Sequence, residues 1–339
     1  MPSSSPLNIV ITGGAGFLGQ RLARELVGRG TLAGPDGAAR RIGRITLLDV
    51  VAPAAPTAPT HERPTNAPRV VTEAGDISER AVLERALGPD THAVFHLAAI
   101  VSGMAEAEFD LGMRVNLDAT RAILEVCRAA GTRPRVIFTS SVAVFGGRLP
   151  DVVRDDTAVT PQTSYGAEKA MGELLVSDYS RKGFVDGRVL RLPTVSVRPG
   201  RPNAAASSFA SGIIREPLNG ETSNCPVPPD TRMWVISPAT VIQCLIKGHD
   251  LPADAFGASR IVNLPGLTVT AHEMVQALAR IAGPDVASRV TWNIDDRIAR
   301  MVATWPGAID NTRALSLGFP HDTDFDSSIR QHMDAGPRT

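Results

Sequence analysis

Two side chains four residues apart, Tyr165 and Lys169, carry the most pointed chemistry in this chain of 339 residues. They open the stretch Ser164–Lys182, which reads as a helix, so their spacing puts both on one face. A phenol ordinarily titrates near pH 10. An ammonium held beside it favours the phenolate and lowers that value. Such a phenolate can take the proton of an alcohol. Two hydroxyls, Ser140 and Ser141, follow the apolar run Arg135–Thr139, and Ser141 lies 24 residues before the tyrosine. A serine at a strand end can hold the oxygen of the reacting alcohol. The chain has only two tyrosines, so the pairing with a lysine is not one of many.

A second constellation lies near the start. Gly13, Gly16 and Gly19 recur every third residue in Gly13-Gly14-Ala15-Gly16-Phe17-Leu18-Gly19. The run sits between a short apolar strand pattern, Asn8–Thr12, and a helical pattern, Phe17–Gly28. Glycines there permit a tight turn and close approach of a pyrophosphate to the helix N-terminus. No Gly-Lys-Ser/Thr follows, so a mononucleotide phosphate loop is excluded. Asp49 ends the second strand pattern, Arg44–Asp49. A carboxylate there accepts both hydroxyls of an adenosine ribose and repels a 2′-phosphate. The following Val50, Val51, Ala52 and Pro53 offer no arginine to such a phosphate. The cofactor expected is therefore NAD rather than NADP. Asp49 lies 30 residues after Gly19, against a usual ~20, and the Gly-rich Thr31–Arg41 segment, read as a surface loop, accounts for the excess.

The bulk composition narrows the partners. Lysines and arginines number 35 and so do acids, giving zero net charge. That balance argues against nucleic-acid binding, which needs a basic surplus. Three scattered cysteines, Cys127, Cys225 and Cys244, form neither a disulfide framework nor a metal motif, which points to a reducing cytoplasm and no metal site. No run near 20 apolar residues and no basic leader is present, so neither a membrane span nor a signal peptide is expected.

Positioning these residues requires a particular scaffold. Apolar strand patterns at Arg69–Glu73, Ala93–Ala99, Arg135–Thr139 and Gly187–Leu192 join the two already named. Helical patterns separate them: Ser78–Leu87, with Ser78 as a possible N-cap, then Glu106–Ala130 and Ser164–Lys182. Strands apolar throughout and alternating with helices imply a parallel sheet covered on both faces. Pro53–Arg69 is proline-rich and reads as a loop. Beyond Pro193 come helical patches at Ser207–Arg215, Pro238–Gly248 and Thr270–Ile281 and a strand at Arg260–Leu264. The expected fold is α/β: a Rossmann-type doubly wound parallel sheet with a smaller C-terminal substrate-binding α/β domain. Its division is residues 1–192 and 233–264 for the dinucleotide domain, and 193–232 and 265–335 for the smaller one.

Taken together, TGGAGFLG (12–19), Asp49, GDI (75–77), HLAA (96–99), VN (115–116), TSSVAVFG (139–146), YGAEK (165–169), LRLPTVSVRPG (190–200) and DNTRALSLGF (310–319) resemble the extended short-chain dehydrogenases/reductases over nearly the whole chain. The resemblance implies an NAD-dependent oxidoreductase acting on a CH–OH group. It implies Ser141, Tyr165 and Lys169 as the catalytic set. Ser141 takes the role because it lies four before Phe145, which stands where many members have tyrosine and so removes one accessory hydroxyl. It implies cofactor contacts from Gly13, Gly16, Phe17, Leu18, Gly19, Asp49, Asp76, Ile77, Leu97, Ala98, Ala99, Asn116, Tyr165, Lys169 and Pro193. Asn116 would also support the helix of the proton relay, and Pro193 would start the nicotinamide-side loop. The family habit further implies a homodimer built on Glu106–Ala130 and Ser164–Lys182.

Sugar-nucleotide members of the family carry Arg-Asp-Phe-x-x-Val-x-Asp, whereas here Thr231–Pro238 keeps the arginine and loses the acids. Arg232 is therefore expected to clamp the carboxylate of a small sugar acid by a bidentate pair. Ser102, Ser140, Ser141, Tyr165, Asn203 and Ser207, with Ser208 beside it, are the other expected substrate contacts. The reaction implied is oxidation of a four-carbon sugar acid at C2. The alternatives are a nucleotide-sugar 4-epimerase and a non-catalytic dinucleotide sensor; the intact Ser/Tyr/Lys set argues against the second.

Overall fold

Successive residues of the first strand, β1 (Leu7–Thr12), point into different cores. Ile9 and Ile11 belong to one apolar cluster and Val10 to another. That is the period-two alternation of a strand buried on both faces. In the computed structural model, which describes residues 5–55, 67–200 and 205–334, the same alternation recurs along the sheet. The helix α1 (Phe17–Arg29) follows, then β2 (Thr31–Ala33), β3 (Ala39–Asp49), β4 (Arg69–Ala74), α2 (Arg80–Ala86) and β5 (Ala93–His96). Next come α3 (Ser102–Ala107), α4 (Phe109–Gly112), a π-helical turn over Met113–Asp118, α5 (Ala119–Ala130), β6 (Arg135–Ser141), α6 (Ser164–Arg181), β7 (Asp186–Leu192) and β8 (Thr194–Val195). The last part contains α7 (Phe209–Leu218), β9 (Ser223–Asn224), β10 (Arg232–Ile236), α8 (Pro238–Asp250), β11 (Ile261–Asn263), β12 (Leu267–Thr270) and α9 (Ala271–Ala282).

Seven strands form a parallel sheet in the order β11-β7-β6-β5-β1-β3-β4, and β2 adds an antiparallel hairpin to β3. Leu22 and Leu26 of α1 and Val241 and Leu245 of α8 pack with Ile9, Phe95 and Ile137 on one face. Val82 and Leu83 of α2, Ile123 and Leu124 of α5 and Val176 of α6 pack with Val10, Val136 and Phe138 on the other. This is the doubly wound Rossmann-type sheet. Its order reverses beside β1, where ligands of such sheets bind at the carboxyl ends of the strands. A second core joins α7 and α9 to the small sheet β8-β10-β12 through Ile213, Ile214, Met233, Val235, Met274 and Leu278. The segment 233–264 therefore splits: β10 pairs in the small sheet, while β11 pairs with β7 in the large one.

Three local expectations change. Thr31–Arg41 is not a surface loop, because Thr31–Ala33 pairs with Ala39–Arg41 and Leu32 is fully buried. Only the Gly-rich middle turns, and composition alone hid the paired flanks. Ser78 does not cap α2; Glu79 stands at the cap position without a side-chain bond, and the Ser78 amide donates instead to Asp76. Glu106–Ala130 is not one helix. It begins at Ser102, breaks near Glu108 and passes through the π turn before α5. Much of the proline-rich stretch, residues 56–66, lies outside the described residues.

Candidate active site

The strand ends and the loops that follow them enclose a cavity of about 620 Å³. It gathers the glycine loop (Gly13, Gly16, Phe17, Leu18, Gly19), Asp49, Asp76, Ile77, the segment Leu97–Ala99, Ser102, Ser140, Ser141, Tyr165, Lys169, Pro193 and Ser207. Leu97–Ala99 was expected to continue a strand. The strand instead ends at His96, and the three residues turn out of the sheet to form cavity wall.

The glycine loop fits a dinucleotide. Gly13 has φ +72°, and a Cβ there would sit 2.8 Å from the Ala98 nitrogen. A Cβ on Gly19 would meet the Gly13 carbonyl oxygen at 2.2 Å. Backbone is thus packed on backbone, which lets a pyrophosphate come close to the N-terminus of α1, while the Gly14 and Gly16 amides fix the turn by donating to the Leu48 and Gly13 carbonyls at 3.0 Å. No side chain caps that helix and no acid stands in its first turn, so nothing there competes with an anion. Asp49 accepts the Ala15 amide at 3.0 Å through one carboxylate oxygen, and the other has no protein donor among the described residues. That oxygen is the acceptor a ribose hydroxyl would use.

At the other end Tyr165 stands in the first turn of α6, whose N-cap Thr163 accepts the Gly166 amide at 3.1 Å. The Lys169 Nζ lies 5.7 Å from the Tyr165 ring centroid and 4.8 Å from that of Phe138, and it donates to the Thr139 carbonyl at 3.0 Å. Burial pushes Lys169 down to about 8, against the pull of Glu168 and Glu173. The phenol departs from expectation. Burial pushes Tyr165 up to about 12; the Ser141 hydrogen bond and the Arg198 charge pull it down, while Glu168 pushes it further up. Desolvation of the phenolate outweighs these attractions, and Arg198 is a further positive charge acting on the phenol.

Other placements correct the sequence reading. Ser140 lines the cavity, but its hydroxyl donates to Glu173 at 2.5 Å, so it anchors the strand end and leaves Ser141 to the phenol. Asn116 is buried behind the wall and does not line the cavity. The π turn aims it at Glu168, to which it donates at 2.6 Å, while its carbonyl oxygen accepts the Ile100 amide at 2.8 Å. It braces α6 rather than contacting cofactor. Arg232 is exposed and lines a different depression with Asp151, Asp230 and Gly307. Strand register on β10 decides this, because Met233 and Val235 take the core-facing positions. Asn203 lies outside the described residues. Phe145 is buried beneath the Arg191 guanidinium, 4.8 Å from its ring centroid.

Sequence reasoning missed His96, Glu168, Arg198, Arg215 and Trp305. His96 stands behind the wall in a chain of hydrogen bonds. The Thr120 hydroxyl donates to the Asn116 carbonyl at 2.7 Å, so toward His96 it can only accept. Nε2 of His96 therefore donates to Thr120 at 2.9 Å, and Nδ1 accepts from Thr12 at 2.7 Å. The ring is neutral, and burial pushes it down to about 3. An unfolded chain binds this proton near pH 6.5, whereas the fold refuses it until about 3. Stability is expected to fall with pH below 6.5, by up to about 1.4 kcal/mol per unit from this residue. Urea midpoints between pH 7 and pH 5 should decline less steeply for His96→Asn than for wild type; equal slopes would refute the assignment.

The profile of the NAD dependent epimerase/dehydratase family matches residues 9–235. D-erythronate dehydrogenase of Cupriavidus necator is 60% identical over 97% of this chain and 99% of its own length. D-erythronate dehydrogenase of Haemophilus influenzae is 45% identical, with the same coverage. Among solved structures, one from Agrobacterium tumefaciens described as a nucleoside-diphosphate-sugar epimerase superposes with TM-score 0.89 at 40% identity, covering 98% of this chain and 96% of that one.

Proposed function

The chain belongs to the NAD dependent epimerase/dehydratase family, and from that premise we propose that it oxidises the C2 hydroxyl of D-erythronate to 2-dehydro-D-erythronate. The observation that carries the substrate is the 60% identity to a D-erythronate dehydrogenase over nearly the full length of both chains. Bound along the glycine loop and Asp49, NAD supplies the acceptor for the C2 hydride. Tyr165 takes the hydroxyl proton as general base, and Ser141 holds the same oxygen. Lys169 keeps a positive charge beside the phenol below about pH 8. Ser102 and Ser207 lie close together in the cavity wall, where Ser102 Oγ accepts the Ala206 amide at 3.3 Å, and they meet the remaining hydroxyls. The smaller core, which takes in β8, α7, β10, β12 and α9, supplies the substrate side of this arrangement.

The test is NADH formation by the purified protein over four-carbon sugar acids, L-threonine and UDP-galactose. Fast NADH release with D-erythronate is expected. The structure 40% identical to this chain is described as an epimerase, and that favours a second reading, nucleotide-sugar 4-epimerisation. It would show as turnover of UDP-galactose without net NADH and would displace the first.

We place two copies of the chain face to face across α3 to α6. Met104, Phe109, Met171 and Leu174 are exposed on those helices, with Leu174 67% accessible. A stable dimer needs such an apolar patch. Light scattering should give twice the 35.8 kDa chain mass, and Leu174→Glu should halve it; a wild-type monomer would refute this. Among the described residues no helix is long and apolar enough to cross a membrane. The three cysteines are free and buried, which supports placement in the reducing cytoplasm.

A further inference from the structure

The part of the cavity wall that holds Tyr165 also carries two arginines, Arg198 and Arg215. Their situations differ. Arg215 is buried, pairs with Glu216 at 2.5 Å and donates to the Arg198 carbonyl at 2.8 Å. The Arg198 amide donates to Ser211 at 3.0 Å, and Ser211 is fully buried on α7. The Arg198 backbone is thus held from both sides by buried side chains of one helix. Its guanidinium, by contrast, has no hydrogen-bond or ion-pair partner among the described residues. A half-buried cation without a counter-ion is costly, and the neighbouring Arg215 charge adds to that cost.

We propose that Arg198 binds the carboxylate of the substrate and so selects 2-hydroxy acids over neutral alcohols. This rests on the sugar-acid reading above and supplies the group that Arg232 was expected to be. The planar fork of an arginine matches a carboxylate with two parallel bonds. In a 2-hydroxy acid the carboxylate carbon is bonded directly to the reacting carbon, so its binding group must stand beside the base. Arg198 shares the cavity with Tyr165 and acts electrostatically on its phenol, whereas Arg232 does not line that cavity but the depression next to it, with Trp305 bordering both. The other charged groups beside that phenol or Arg198 are Glu168, Lys169 and Arg215: Glu168 is an acid, Lys169 is buried against Tyr165 and donates to the Thr139 carbonyl, and Arg215 is already paired. The backbone clamp from α7 means the fork is ordered before substrate arrives, which lowers the cost of binding.

The test compares Arg198→Gln, Arg198→Lys and Arg232→Ala in the full chain, with NAD affinity measured separately by protein fluorescence. Arg198→Gln should lower kcat/KM for D-erythronate roughly 30- to 1,000-fold, chiefly through KM. Arg198→Lys should keep the charge, lose the fork and raise KM about tenfold. Arg232→Ala should stay within about threefold of wild type, a change too small to represent a lost charge pair. NAD affinity should be unchanged in all three. Removing the Arg198 charge should also move the acid limb of kcat/KM to higher pH, since the phenolate loses a stabilising neighbour. Arg198→Gln kinetics equal to wild type, or a loss of NAD affinity parallel to the loss of activity, would overturn the proposal. If Arg198→Gln fails to fold, an unchanged KM in Arg198→Lys would overturn it as well. If wild type oxidises a different 2-hydroxy acid, the substrate reading fails alone, and the Arg198→Gln ratio on that acid decides the present one. Turnover of UDP-galactose without any acid being oxidised would overturn both.

Discussion

Tyr165→Phe is expected to lower kcat/KM for alcohol oxidation by about 10² to 10⁴, the usual worth of a positioned general base. The change removes one oxygen and leaves the ring, so the Lys169 contact and the packing of α6 persist. What is lost is the proton acceptor and the hydrogen bond with Ser141. NAD affinity should be retained, because the glycine loop and Asp49 lie at the other end of the cavity. The sign of the pH dependence follows from burial. The phenol is pushed up to about 12, so the base is mostly protonated at neutral pH and oxidation should speed up as pH rises. Above about pH 8 Lys169 loses its charge and the gain should flatten. Single-turnover NADH formation from pH 6 to pH 10 reads both effects. A Tyr165→Phe protein working at near the wild-type rate would remove the phenol from the chemistry.

The second large effect is on stability. Glu173→Ala is expected to cost about 3–5 kcal/mol. Glu173 accepts from Arg191 Nε at 2.8 Å and Nη2 at 2.7 Å, and from Ser140 at 2.5 Å. Both charged side chains are nearly inaccessible, at 2% for Glu173 and 6% for Arg191. The pair continues through Asn263 to Asp155, so it ties β6, α6, β7 and β11 together. Removing the carboxylate leaves a buried guanidinium without its partner, which is the expensive case. Replacing both groups with apolar ones, Glu173→Leu with Arg191→Met, should recover most of the loss. Urea unfolding of the two variants gives the comparison, and a single variant within about 1 kcal/mol of wild type would contradict this account. The loss should reach activity too, because Ser140 and Ser141 are neighbours at the end of β6 and only the first is held by Glu173.

The parts of this protein legible in the linear chain are those written at short range. Tyr165 and Lys169 share a face because a helix repeats every 3.6 residues. The glycine loop announces its turn through three glycines placed between a strand pattern and a helix pattern. The sheet is readable because residues buried on both faces are apolar without interruption. None of these depends on what packs against them. Arg198 and Arg232 are the opposite case. They are chemically identical and 34 residues apart, and the lost acids around Arg232 single out the wrong one. Which one faces the substrate is decided by the register of β10 and by Ser211 and Arg215 of α7 holding the Arg198 backbone. The neutral state of His96 rests on hydrogen bonds that join β1, β5 and α5. The raised phenol of Tyr165 likewise rests on how much of the wall excludes water. Electrostatic free energies depend on distances and dielectric surroundings in three dimensions, so a charge read from the chain acquires its role only when tertiary packing has chosen its neighbours.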